Sequence, residues 1–172
     1  IDLAGKVALV TGGGQGLGAA TCKALAEAGA NVAVNYFNDE KGVNKQRAEE
    51  TAKNLGRSGV AMRANVTDMS EIETMFSQIL ATYGKIDIVV NNAGILRDKT
   101  LKKKTSQEWQ QVIDTNLTGV FNVCRCAAEK ISDGGRIVNL SSISGLMGFF
   151  GQTNYAASKA GVHKLTESLA EE

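Results

Sequence analysis

Val7-Ala-Leu-Val-Thr-Gly-Gly-Gly-Gln-Gly-Leu-Gly18 is the stretch from which the architecture follows. Its four apolar residues, Val7–Val10, lack polar alternation, as a strand buried on both faces of a parallel sheet requires. A glycine-rich turn follows, and then a helical pattern over Ala19–Ala28. Glycines in such a turn let backbone N–H groups approach a pyrophosphate at the helix N-terminus. The spacing is Gly12-x-x-x-Gly16-x-Gly18; the commoner Gly-x-Gly-x-x-Gly/Ala expression fits only through Gly14, Gly16 and Ala19. A glycine-rich segment alone reads equally well as a flexible loop. The strand before it and the helix after it favour nucleotide binding.

Further short apolar runs lie at Val32–Val34, Val60–Met62, Ile86–Val90 and Ile137–Leu140, with helical patterns between them. Ile72, Met75, Phe76, Ile79, Leu80 and Tyr83 recur at steps of three and four behind a start signal at Asp68 and Glu71. Thr105-Ser-Gln-Glu108 is a capping box. It opens one long helix running through Trp109, Val112, Ile113, Leu117, Val120, Phe121 and Cys124. The charged stretch Asn38–Lys53 reads as a loop entering a solvated helix, and a last helix runs from Gln152 to the end. Strand–helix alternation of this kind predicts a single α/β domain over residues 1–172, a doubly wound, Rossmann-like parallel sheet. Ligands in such sheets bind at the carboxyl ends of the strands, near the switch point.

Composition narrows the function. At 172 residues with 43% hydrophobic side chains, the chain is long enough for a full core. Nineteen basic against 18 acidic side chains leave a net charge of +1, which points to neither a nucleic-acid nor an anionic-membrane partner. No apolar stretch approaches the roughly 20 residues of a membrane span. Cys22, Cys124 and Cys126 show no framework spacing, so reduced thiols in a cytoplasmic protein are the expectation, with no metal site. His163 is the only histidine, which removes a Ser–His triad.

Chemistry concentrates in Tyr155-Ala-Ala-Ser-Lys159. The two side chains lie on one face of a predicted helix, about a turn apart. An ammonium beside a phenol favours the phenolate, and a phenol so tuned can pass a proton to or from a substrate oxygen. Upstream, Ser141-Ser142 ends an apolar run. On the cofactor side, an acidic residue ending the second strand would grip the adenosine ribose of NAD. Here that strand ends Asn35-Tyr36-Phe37, with no carboxylate before Asp39, so NADP is favoured over NAD. Gln15 carries no charge, and the cations nearby are Lys41 and Lys45.

Together these residues resemble the short-chain dehydrogenase/reductase family over the whole chain. The resemblance rests on Thr11-Gly-x-x-x-Gly-x-Gly18, Asn91-Asn-Ala-Gly94, Asn116, Ser142 and Tyr155-x-x-x-Lys159. Within the family, Asn91–Asp98 and Gly151–Gly161 look like the 3-oxoacyl-[acyl-carrier-protein] reductases of fatty acid biosynthesis, and acetoacetyl-CoA reductases share much of that wording. The resemblance implies that Tyr155 is the acid protonating the forming alkoxide and that Ser142 hydrogen-bonds the substrate oxygen. Lys159 would bind the nicotinamide ribose, and Asn116 would hold a water joining Lys159 to a proton relay. It further implies cofactor contacts from Gly12, Gln15, Gly16, Leu17, Gly18 and Tyr36, from Asn65 and Val66 beside the adenine, and from Asn92, Ala93 and Gly94. The implied reaction is NADP(H)-dependent reduction of an acyl thioester, carried on acyl carrier protein or CoA, by a homo-oligomer (dimer or tetramer). Another short-chain alcohol or hydroxysteroid-type dehydrogenase stays open, as does a non-catalytic nucleotide-binding fragment.

Each residue also has a plainer reading. Asn116 lies on the apolar stripe of its helix as a satisfied amide would, and Ser142 could merely cap a strand end. Trp109 and Phe121 read as core or subunit contact, and the Lys102–Lys104 run as a solvated helix approach. Two departures from the family are visible. Asp133 stands where related reductases often carry a basic residue. The sequence also ends at Glu172, inside the helix carrying Lys159, whereas the family continues into a further strand, a substrate lid and a last strand. The expected fold is therefore C-terminally incomplete, with an edge left unpaired.

Overall fold

The structure, a computed structural model, describes residues 1–172. Strands β1 (Val7–Val10), β2 (Asn31–Tyr36), β3 (Gly59–Arg63), β4 (Ile88–Asn91) and β5 (Arg136–Asn139) pair in parallel in the order β3-β2-β1-β4-β5. The register sets Val10 beside Val34 on one side and beside Val90 on the other. Helices α1 (Gly16–Glu27), α2 (Val43–Asn54), α3 (Met69–Tyr83), α4 (Ser106–Ile113), α5 (Gly119–Lys130) and α6 (Thr153–Glu171) cover its two faces. This is the expected doubly wound sheet. The strands reach past their apolar runs: β2 takes in Asn31 and Tyr36, and β5 begins at Arg136 and stops before Leu140.

β1 shows why the apolar runs do not alternate. Val7 and Leu9 pack with Ile72, Met75, Phe76 and Ile79 of α3 and with Val123 and Ala127 of α5. Val10 turns to the other face, against Cys22 of α1 and Ala48 and Ala52 of α2. Both faces of the strand are thus covered, and burial of each large side chain contributes about 1.5–3 kcal/mol. A smaller cluster of Val120, Cys124 and Val162 joins α5 to α6.

Two local readings are corrected. The long helix is not uniform: α4 and α5 are separated by a π-helical turn, Asp114–Thr118, in which the N–H of Gly119 reaches back to the carbonyl of Asp114. Of its proposed stripe, Val112, Val120 and Cys124 are buried, while Trp109 and Phe121 are exposed. At the start of α3, Asp68 does accept from the N–H groups of Ser70 and Glu71. Glu71, however, does not close the box. Its carboxylate accepts from Asn65 N–H at 2.8 Å and sits 3.6 Å from Arg63. The box at Thr105 and Glu108 is complete.

The chain winds outward from β1 through β2 to β3, then crosses back to β4 and β5. The switch point therefore lies between β1 and β4, where a crevice opens at the strand ends. No helix is long and apolar enough to cross a membrane.

Candidate active site

A cleft of about 880 Å³ occupies that crevice. Its wall includes Gly12, Gln15, Gly16, Leu17 and Gly18 from the glycine turn, and Tyr36 at the end of β2. Asn65 and Val66 line it after β3, and Asn92, Ala93 and Gly94 after β4. Every cofactor position expected from the glycine turn and from the second, third and fourth strand ends thus lies on one surface, with the N-terminus of α1 at Gly16.

Polar side chains tie the strand ends together beneath this surface. Thr11 Oγ1 accepts from the N–H groups of Asn92 and Ala93, both at 3.0 Å. The Asn92 amide donates back to the carbonyls of Thr11 (2.9 Å) and Gly12 (3.1 Å). Asn35 accepts from Gly12 N–H at 3.2 Å and donates to the carbonyls of Met62 and Ala64. Thr11 and Asn35 therefore fix the cleft floor, and sequence reasoning gave neither a role. The available signal was a buried amide inside an otherwise apolar strand, since such groups must be hydrogen-bonded.

The turn itself is dense. A Cβ on Gly18 would lie 2.3 Å from the Gly12 carbonyl oxygen and 2.6 Å from the Asn92 amide nitrogen. We expect Gly18→Val to cost about 1–3 kcal/mol by overpacking and to remove dinucleotide binding. The urea midpoint and a cofactor titration check this together; unchanged values for both would contradict the packing argument.

Tyr155 and Lys159 lie on the first turns of α6; neither they nor Ser142 and Asn116 are among the residues that line this cleft. Lys159 Nζ lies 5.8 Å from the centroid of the Tyr155 ring and donates to the Leu140 carbonyl at 2.6 Å. The lysine is only 5% exposed, and burial lowers its pKa from the ordinary lysine value. The Tyr155 hydroxyl makes no hydrogen bond to the protein, while its ring is half-buried. Ser141 Oγ donates to the Lys159 carbonyl at 3.0 Å, which brings the next residue, Ser142, alongside α6. Ser142 Oγ accepts from Ser144 N–H at 3.1 Å and keeps its own hydrogen to donate.

Asn116 sits in the π-helical turn and is fully buried. Its carbonyl oxygen accepts from Ile95 N–H at 2.8 Å, and its amide donates to Ile95 O at 3.0 Å and approaches Ser158 Oγ at 3.5 Å. The Ser158 hydroxyl in turn donates to the Tyr155 carbonyl at 2.7 Å. The side chain thus links the cleft wall at Ile95 to the helix bearing Tyr155; it makes no direct bond to Lys159.

Lys104, the last residue of the basic run, is not solvated as expected. Its ammonium donates to the carbonyls of Arg97 (2.7 Å) and Gly151 (3.3 Å) and to Asn154 Oδ1 (2.8 Å). Asn154 is completely buried, and its Oδ1 also accepts from Tyr155 N–H at 2.9 Å. Lys99 closes the same loop by pairing with Glu108, whose carboxyl it holds at about 2. Lys104→Met would remove the charged donor shared by Arg97 O, Gly151 O and Asn154 Oδ1, at a cost of about 1–3 kcal/mol, although Oδ1 keeps the Tyr155 N–H. We expect a lower urea midpoint; a variant as stable as the parent would show the clamp to be dispensable.

The three cysteines are buried and free. Burial pushes the Cys22 thiol up to about 12, so it is an inert packing group. Cys126 packs in the main core and Cys124 in the α5–α6 cluster, as their offset around the helix required. His163 pairs with Glu167 at 3.0 Å along α6.

Residues 6–172 match the family described as short chain dehydrogenase. The chain belongs to that family. It is 45% identical over 172 residues to the 3-oxoacyl-[acyl-carrier-protein] reductase FabG of Staphylococcus aureus (strain Mu50), covering 97% of this chain and 68% of that protein. It is 42% identical to the acetoacetyl-CoA reductase of Cupriavidus necator over the same shares. Among solved structures, a short chain dehydrogenase from Burkholderia cenocepacia in complex with NADP superposes with a TM-score of 0.91 at 35% identity. That match covers 99% of this chain and 69% of the other.

Proposed function

We propose that the protein reduces a 3-oxoacyl thioester to the 3-hydroxyacyl form with NADPH, the acyl group being carried on acyl carrier protein. The observation that carries this reading is the buried Lys159 ammonium 5.8 Å from the centroid of the Tyr155 ring. NADPH supplies the hydride that reaches the carbonyl carbon. The chain's own part is binding, orientation and one proton. The crowded Gly12–Gly18 turn and the α1 N-terminus would hold a pyrophosphate, because its glycines carry no side chain to keep their backbone N–H groups away from it. Ser142 O–H donates to the ketone oxygen and orients it. Tyr155 O–H, free of protein partners, gives its proton to that oxygen as negative charge develops. Lys159 contributes a positive charge beside the phenol and two further N–H donors for the cofactor ribose. Asn116 acts as a positioning residue that keeps the Ile95 end of the cleft in register with α6, and it can also hold the relay water there.

The carrier-protein substrate follows the curated relatives that carry that name, including one from Synechocystis at 43% identity. The Cupriavidus relative favours a second reading, acetoacetyl-CoA. We further propose that the exposed Trp109 and Phe121 on α4 and α5 cover one another in a homo-oligomer. Initial rates of NADPH consumption with acetoacetyl groups on acyl carrier protein and on CoA test the substrate assignment. Turnover of the carrier-linked substrate at the higher kcat/KM is expected. Consumption with simple ketones only would overturn the thioester reading.

A further inference from the structure

We infer that Arg47, on the second turn of α2, is the residue that reads the adenosine 2′-phosphate and so sets the NADP preference. The inference rests on the cofactor assignment above and identifies the residue responsible for it. Sequence reading placed Lys41 and Lys45 near this end of the cleft, but neither lines it. Lys45 instead lies 3.7 Å from Glu49 on the exposed face of α2. Arg47 does line the cleft, together with Tyr36, Phe37, Asn44 and Gln15.

Three observations aim it there. First, α2 docks directly on the glycine turn: a Cβ on Gly14 would lie 2.9 Å from Ala48 N, so only glycine allows the approach. Ala48 is fully buried, which fixes the rotation of α2 and turns its neighbour Arg47 to the cleft mouth. Second, Arg47 Nη1 donates to Gln15 Oε1, so the uncharged turn residue orients a guanidinium brought from another helix. The remaining N–H groups of the fork stay available to a phosphate. Third, the first carboxylate after β2 is withdrawn. Asp39 accepts from the N–H groups of Val43 (3.1 Å) and Asn44 (2.8 Å), capping α2. It is thereby kept from gripping a 2′-hydroxyl, and it occupies the helix N-terminus at which an anion would otherwise sit. A 2′-phosphate over Tyr36 has Arg47 as its cationic partner.

Equilibrium titrations of NADP⁺, NAD⁺, 2′,5′-ADP and 5′-AMP into the parent, Arg47→Met and Lys45→Met test this without turnover. Arg47 is exposed and methionine is a good helix former, so the variant should fold as the parent does. Losing a charge-assisted contact should weaken NADP⁺ and 2′,5′-ADP by about ten- to a hundredfold in Arg47→Met. NAD⁺ and 5′-AMP should keep their affinities, and Lys45→Met should match the parent for all four. Equal weakening of phosphorylated and unphosphorylated ligands, or no weakening, would overturn the role of Arg47. So would a selective loss in Lys45→Met. A parent protein that binds NAD⁺ more tightly than NADP⁺ would instead sink the cofactor assignment, which keeps the two failures distinct.

Discussion

Tyr155→Phe should lower the rate of thioester reduction by about 10²–10⁴-fold, the usual worth of a positioned general acid. The geometry makes this a clean substitution. The Tyr155 backbone N–H is held by Asn154 and its carbonyl by Ser158, while its hydroxyl bonds to no protein group. Removing the hydroxyl therefore breaks no internal hydrogen bond, and stability should stay within about 0.5 kcal/mol of the parent. NADP⁺ affinity should also persist, because the cleft is built from other elements. Single-turnover rates at saturating NADPH, with a urea melt as control, separate these effects. A Phe variant retaining more than about a tenth of the parent rate would mean that another group supplies the proton.

How far the site could be read in advance depended on what each signal was made of. The strands and the glycine turn were legible because their signature is local. An unalternating Val7–Val10 run, followed by glycines where a Cβ would strike backbone, has few other uses. The capping boxes show where locality ends. Thr105/Glu108 and Asp68/Glu71 have the same spacing, yet only the first closes. The β3–α3 loop offers Asn65 N–H to Glu71, a competing donor that no spacing rule contains. The π-helical turn was equally hidden, because Val112, Asn116 and Val120 keep a helical step of four across it. Arg47 was the hardest to see. In sequence it is one charge among many on a solvated helix, and only the docking of Ala48 on Gly14 singles it out. Lys104 is a parallel case: three oxygen partners from distant segments turn a charge run into a clamp.

Lys159 carries the other large effect, and its pH dependence separates its electrostatic role from its packing. Lys159→Met should lose activity on the order of 10²-fold or more, since the charge beside the phenol disappears with the ribose donors. Its effect on stability runs differently. Burial depresses the folded-state pKa of this lysine, whereas the unfolded chain titrates near the ordinary value of about 10.4. Between those two values the unfolded state holds the extra proton, so the parent's stability rises with pH through that window. Below the folded pKa the cost of burying the ammonium is present in full. The bond to the Leu140 carbonyl offsets part of that cost. Methionine has no proton to titrate, and its stability lacks this slope. The stability difference, parent minus variant, should therefore be smallest near neutral pH and grow as pH approaches about 10. Urea midpoints of both proteins, measured at several pH values across this range, provide the test. A difference that shrinks with rising pH would mean that the ammonium is favourably held in the fold. The Leu140 carbonyl would then more than offset the burial of the ammonium, and the folded-state pKa of Lys159 would lie above its unfolded value.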